Sequence, residues 1–346
     1  MTLTRRTFLA SVAALPLLSL SVQANTGKSL HFLNCGSTID APALQLFRQT
    51  TDTDVIMDLY GDETGFIAKF LGNKPRYDVV FATDDSIAHL VQTDLLSPLD
   101  RSLIPNAKQL EAELETAVFD PNRTFSLPYS WGTLGIGYRK SAVREVPNSW
   151  KPLLDSERYS NRIALLSDKV AVFQATQKYL GYSVNATDPA AIKHAEQLLL
   201  KQRPNIKGFS SKTSALLSSR QVDIAMIWSS DFLKLAEKTD DIGYAVPKEG
   251  TLIWQKCLSV PRHALDPVAA HKFINFLMDS EVAARLAKKF NYATPNKEAQ
   301  KLLGEKYFEN PALHPPASVQ KRLESRGFPD AKQSRLYRTA WQRIRG

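Results

Sequence analysis

The hydrophobic period of this chain keeps switching between two residues and 3.6, and that alternation constrains the fold more than any single motif does. "SLHFLN" (29–34) reads as a short apolar strand, and "APALQLFRQTTDTDV" (41–55) as an amphipathic helix with Leu44, Leu46 and Phe47 on one side. "VIMDLY" returns to a strand, "GDETGFIAKFLG" predicts a helix closing at Gly72, "YDVVFAT" is a third strand, and "DDSIAHLVQTDLL" a helix with an acidic first turn. Strands and helices joined by short connections argue for a largely parallel sheet covered by helices on both faces, the α/β class.

The alternation breaks at "FDPNRTFSLPYSWGTLGIGYR" (119–139), which reads as extended segments crossing from one region to another. It then resumes through "RIALLSD", the helices "AVFQATQKYLGY" and "PAAIKHAEQLLLKQRP", the strand "VDIAMIW", the helix "DFLKLAEKT" and the strand "IGYAVPKEG". "KCLSVP" is a further core strand, and "DPVAAHKFINFLMDSEVAARLAKKF" holds two helices, the second starting near Asp279 or Ser280. Two α/β regions crossed more than once predict two lobes around a cleft, a common setting for small-molecule sites.

With 43% hydrophobic and 23% charged residues, the chain can build one large or two moderate cores. Residues 1–24, "MTLTRRTFLASVAALPLLSLSVQA", run from a twin arginine through an apolar stretch to Val22-Gln23-Ala24. That is the order of a twin-arginine export signal, with the general secretory route or a retained anchor as alternatives, and it predicts a periplasmic protein. The net charge of +9 falls to about +7 without Arg5 and Arg6, and the remaining Lys and Arg are scattered, which argues against nucleic acid as a partner. Cys35 and Cys257 lack metal-type spacing and allow either one bridge or two free thiols.

Catalysis is not expected. Ser229, Ser230, Asp231, His263 and His271 form a triad only on paper; the chain has no Gly-x-Ser-x-Gly elbow, no His-Glu-x-x-His pattern and no P-loop. No cofactor or metal is expected either.

The segments "FDPNRTFSLPYSWGTLGIGY", "LGYSVNATDP", "AMIWSS", "VPKEG", "LSVP", "INFLMDSEVAARLA" and "NYATPN" occur in the order and spacing of one family. On them the chain resembles the periplasmic spermidine/putrescine-binding proteins of bacterial ABC importers, over essentially all of the chain beyond residue 24 and more weakly after about residue 300. The resemblance implies a two-lobed periplasmic-binding-protein fold, each lobe a mixed, mostly parallel sheet flanked by helices. It places lobe 1 at 25–130 and 254–303, and lobe 2 at 131–253 and 304–346, closing over a ligand. It further implies a monomer that delivers its ligand to an ABC permease, or, as the alternative, a sensor docking on a membrane signalling receptor.

Family sites wall the ligand's methylene chain with aromatic rings and grip its ammonium ends with carboxylates. By that resemblance Trp228, Trp254 and Tyr292 line the cleft, unless they serve core or hinge packing, and Asp168 meets an ammonium, unless it is only a helix N-cap. The departures are as informative. Where the family has a tryptophan and an acidic or tyrosine-bearing stretch, this chain offers Cys35, Gly36, Ser37 and Thr38; after the third strand it offers Thr83, Asp84, Asp85 and Ser86. The family's aspartate two residues beyond the second tryptophan is Lys256, and an acidic position of the second lobe is Ala171.

Stranding one partner of a buried charge pair costs ~3–5 kcal/mol, and ~1.4 kcal/mol is tenfold in affinity, so unmodified spermidine should bind badly unless Asp84 or Asp85 compensates. The expected ligand keeps an amine end facing Asp168 or Asp85 and carries an anionic or carbonyl end at Lys256, as an ω-amino acid or an acylated polyamine would. The alternative has Lys256 pointing out of the cleft or paired with a neighbouring aspartate.

Overall fold

The computed structural model describes residues 28–36, 38–72 and 76–346; the expected export signal and Ser37 lie outside them. Its strands are β1 (Lys28–Cys35), β2 (Thr53–Tyr60), β3 (Val79–Thr83), β4 (Leu127–Arg139), β5 (Ile163–Leu166), β6 (Ile206–Ser210), β7 (Ile224–Trp228), β8 (Ile242–Ala245), β9 (Leu252–Ser259) and β10 (Glu324–Ser325). They run in the order β2-β1-β3-β9-β4-β7-β5-β6, with β10 beside β9 and β8 beside β4. β1, β2 and β3 are mutually parallel, as are β7, β5 and β6, whereas β9 is antiparallel to both β3 and β4.

β4 is the crossover that the broken alternation predicts. Leu127–Thr133 pairs with β9, and Leu134–Tyr138 pairs with β7, so one strand belongs to two sheet halves. Nearly every β4 residue is buried: the large side chains Leu127, Tyr129, Trp131, Leu134, Ile136 and Tyr138 alternate with small or polar ones on a strand covered on both faces.

Aspartate starts half of the α-helices among the described residues. Asp40, Asp62, Asp168, Asp188, Asp266, Asp279 and Asp330 each accept a backbone N–H from the first turn, and several are followed by proline in the first two helical positions. The first helix stops at Thr51 because Asp52 turns left-handed (φ 52°), so β2 begins at Thr53, earlier than the sequence reading placed it. Leu46 is 42% exposed, contrary to expectation, since two residues from Leu44 the helix has turned some 200° and the buried face carries Ala43 and Phe47 instead.

One half packs Phe32, Phe47 and Phe273 on one face, with Phe47 and Phe273 ring centroids 4.9 Å apart, and Phe66, Ile87 and Leu90 on the other. The other half buries Trp150 and Phe173 together with Trp341 of the helix Ala331–Arg345, and Ile227, Phe232 and Tyr244 opposite. Each fully buried aromatic contributes about 1.5–3 kcal/mol, so both halves hold cores of their own. Both cysteines are free: Cys257 is buried, and Cys35 is half-buried with its sulfur against Lys256, which faces away from Cys257 by the alternation of β9.

Candidate ligand cleft

β9 places its side chains alternately, so Trp254 and Lys256 share one face while Gln255 and Cys257 share the other. Trp254 and Lys256 line a cavity of about 540 Å³ together with Thr38, Tyr60, Ser130 and Tyr292. Ser230, Lys234 and Glu237 enter the same cavity from the helix Ser229–Ala236, which follows β7 in the other half. The cavity therefore spans the two sheet halves. A hydrogen bond from Asn291 Nδ2 to Glu237 Oε1 (3.0 Å) joins its rims.

Lys256 pairs across the sheet with Thr83 of β3 and Ser130 of β4. Its Nζ lies 3.5 Å from Cys35 Sγ and 6.0 Å from the Phe81 ring centroid, and it makes no salt bridge among the described residues. Burial holds the carboxyl of Asp231 above its ordinary range, against the opposing pull of Lys234 and Lys256. Thr38 Oγ1 donates to Asn34 Oδ1 (3.1 Å), and its carbonyl accepts from Tyr129 Oη (3.1 Å). Trp254 Nε1 is buried and has no hydrogen-bond partner among the described residues.

Gly132 sets the wall behind Trp254. The two residues are paired in register, and a Cβ on Gly132 would stand 2.8 Å from the indole Cζ2 and 2.2 Å from Ser229 Oγ. Ser229 Oγ accepts the Thr133 N–H (3.1 Å), so this serine is engaged in joining β4 to the helix after β7.

Asp85, Asp168 and Trp228 gather at a second station, around Arg326. β10 runs parallel to the start of β9 and carries Arg326 to the seam between the two sheet halves, with the Arg326 N–H on Ile253 O (3.3 Å). Its guanidinium donates to Asp168 Oδ2 (3.0 Å), approaches Asp85 Oδ2 (3.9 Å) and lies 5.9 Å from the Trp228 ring centroid. Asp168 takes the N-cap role, its Oδ1 capping the helix Lys169–Tyr179, while its Oδ2 accepts from Arg326, a cation of the protein itself. Beneath them Asp84 is buried, its Oδ2 accepting from Gln255 N (3.1 Å), and burial pushes its pKa up to about 7; burial likewise pushes Asp85 to about 6, with Arg326 opposing.

Of the residues singled out from the sequence, Thr38, Trp254, Lys256 and Tyr292 thus meet in the cavity, and Asp85, Asp168 and Trp228 meet around Arg326. Thr83 ends β3 beside Lys256, with Oγ1 donating to Ser86 Oγ at 3.3 Å. Sequence reasoning missed Tyr60, Ser130, Ser230, Lys234, Glu237 and Arg326. "ESRGFPD" has no period and lies where the resemblance fades, so only the two-residue pairing of β10 with β9 brings Arg326 into view.

The model of the family "Bacterial extracellular solute-binding protein" matches residues 47–315. The putrescine-binding periplasmic protein SpuD of Pseudomonas aeruginosa is 29% identical over 344 residues, covering 93% of each chain. The spermidine/putrescine-binding periplasmic protein of Salmonella typhimurium is 31% identical over 314 residues, covering 90% of each. The crystal structure of the spermidine/putrescine ABC transporter substrate-binding protein PotD from Streptococcus pneumoniae superposes with a TM-score of 0.86 at 30% identity, over 92% of this chain and 98% of that one. Matched along most of its length in sequence and in fold, this chain belongs to the bacterial extracellular solute-binding proteins.

Proposed function

We propose that this protein is the periplasmic binding component of a polyamine-type ABC importer, capturing a small amine-containing ligand by lobe closure and handing it, as a monomer, to an inner-membrane permease. Residues 1–24 would serve as its twin-arginine export signal. Among the described residues no helix is long and apolar enough to cross a membrane. The curated relatives named above are spermidine- and putrescine-binding proteins, which supports the ligand's amine character. The crossover strand β4, which pairs with β9 in one half and with β7 in the other, supports closure of 25–130 with 254–303 against 131–253 with 304–346.

One observation carries the ligand reading: Lys256 stands in an aromatic-walled cavity without a carboxylate partner among the described residues. A half-buried ammonium there favours a carbonyl or carboxylate and disfavours a second ammonium. Trp254 Nε1, unpartnered among the described residues, offers a further polar contact. Glu237, the carboxylate that lines the cavity, is the group available to the ligand's amine end. An ω-amino acid or an acylated polyamine meets these requirements. No catalytic role is proposed: Ser229 Oγ accepts the Thr133 N–H, and His271 Nε2 accepts the Asp100 N–H (2.9 Å).

The test is Lys256→Asp, with affinities for putrescine, spermidine, 5-aminopentanoate and an acetylated polyamine measured by calorimetry. Loss of the carbonyl-bearing ligands by at least tenfold, with a gain for the diamine, is expected, since reversing a charge contact in a cleft changes binding by more than ~1.4 kcal/mol. An unchanged ligand profile would refute the role of Lys256.

A further inference from the structure

We propose that Arg326 is a built-in cation that fills the acidic half of the cleft and thereby excludes a ligand ammonium from it, making Arg326 a determinant of ligand charge. The inference rests on the reading that ligand enters this cleft. Its basis is geometric. The guanidinium is held by Asp168 at 3.0 Å, faces Asp85 at 3.9 Å and lies against the faces of Trp228 and Phe328, with centroid distances of 5.9 and 5.4 Å. Two carboxylates and an aromatic face are what a primary ammonium would seek, and here a side chain of the protein has taken them.

The segment is fastened on both sides of Arg326, which fixes the point from which its side chain reaches Asp168. Glu324 is ion-paired with Lys178 and accepts from Ser183 Oγ. On the other side, Gly327 N donates to Asn185 Oδ1 (2.7 Å), and Gly327 O accepts from Gln174 Nε2 (3.0 Å). Arg326 itself is 8% exposed, and a desolvated guanidinium stays charged at any ordinary pH. A diamine entering the cleft would meet cations at both stations, Lys256 in the cavity and Arg326 at the acids, with no pair of separated carboxylates left to hold its two ends. A ligand with a single amine escapes that conflict.

Calorimetry of the purified protein against putrescine and 5-aminopentanoate, in the unchanged chain and in Arg326→Gln, tests this. The expected result is undetectable putrescine binding in the unchanged chain, a gain of at least tenfold in Arg326→Gln, and a change under threefold for 5-aminopentanoate. Micromolar putrescine binding by the unchanged chain, or a gain under threefold in a folded Arg326→Gln protein, would overturn the proposal. If putrescine binds Arg326→Gln while 5-aminopentanoate binds neither protein, the reading of Lys256 fails and the role of Arg326 stands.

Asp168→Asn reads the idea without touching the arginine, because asparagine keeps the capping oxygen. If the acid serves Arg326, 5-aminopentanoate affinity falls less than threefold. A tenfold loss would show that Asp168 meets the ligand's amine and would overturn the proposal.

Discussion

Replacing Gly132 with alanine tests whether the crossover strand fixes the cleft tryptophan. The new Cβ would stand 2.2 Å from Ser229 Oγ and 2.8 and 2.9 Å from Trp254 Cζ2 and Cε2, where ordinary contacts begin near 3.4 Å. The serine hydroxyl can rotate away only by giving up the Thr133 N–H, and an unpaired buried N–H costs ~1–3 kcal/mol. The indole must also move by about half an ångström into the cavity, and overpacking of that kind costs ~1–3 kcal/mol. Alanine recovers ~0.4–1 kcal/mol by restricting the unfolded chain, which leaves a net loss of about 1–5 kcal/mol.

Urea unfolding followed by tryptophan fluorescence measures this directly, as a lower midpoint at unchanged slope. Gly208→Ala is the internal control, since a Cβ there meets nothing within 4 Å and the change should be neutral or slightly stabilising. Ligand affinity in Gly132→Ala should fall with stability, because the displaced indole narrows the cavity. Equal stabilities of the two alanine variants would refute the argument that Gly132 exists to seat Trp254.

The acids of the cleft and of the first helix should titrate in opposite senses. Asp84 has its pKa pushed up to about 7, so its contribution to stability is complete below the unfolded value near 4 and is lost as pH rises through 7; Asp84→Asn should flatten the decline of unfolding free energy between pH 5 and 8, measured by denaturation at each pH. Asp40 is held well below the ordinary carboxylate range, by Arg285 foremost and by Lys289, against the opposing effect of burial, so its contribution is present above about pH 4 and is lost as pH falls below it. Asp40→Asn keeps the capping oxygen for Ala43 N and should cost only about 1 kcal/mol at pH 7, since Arg285 and Lys289 are 43% and 51% exposed, with the two unfolding curves converging at acid pH.

Much of the fold was legible because its signals are local. An aspartate before an apolar-periodic run marks a helix start wherever the chain lies, and "DS" at 279–280 opens a helix as expected. Alternation of strand and helix named the α/β class, and its interruption at 119–139 located the crossover, although not the exact residue at which β4 changes partners. Helix faces were less secure: Leu46 shows that an apolar residue within a helix need not lie on its buried side.

For the cleft, the sequence determined the chemical inventory: two tryptophans, a tyrosine, a lysine in an unexpected place, and aspartates after two strands. Alternation along β9 was enough to put Trp254 and Lys256 on one face, because a strand's side-chain period is fixed at two. What the tertiary structure alone decided is which of these charges meet. Asp85 and Asp168 are 83 residues apart in sequence numbering, and both reach Arg326, some 158 residues beyond Asp168, through a strand of only two residues. Charge pairing depends on distance in space and on burial, neither of which has a local signature, so the arginine that settles the polarity of the cleft became visible only when the chain was folded.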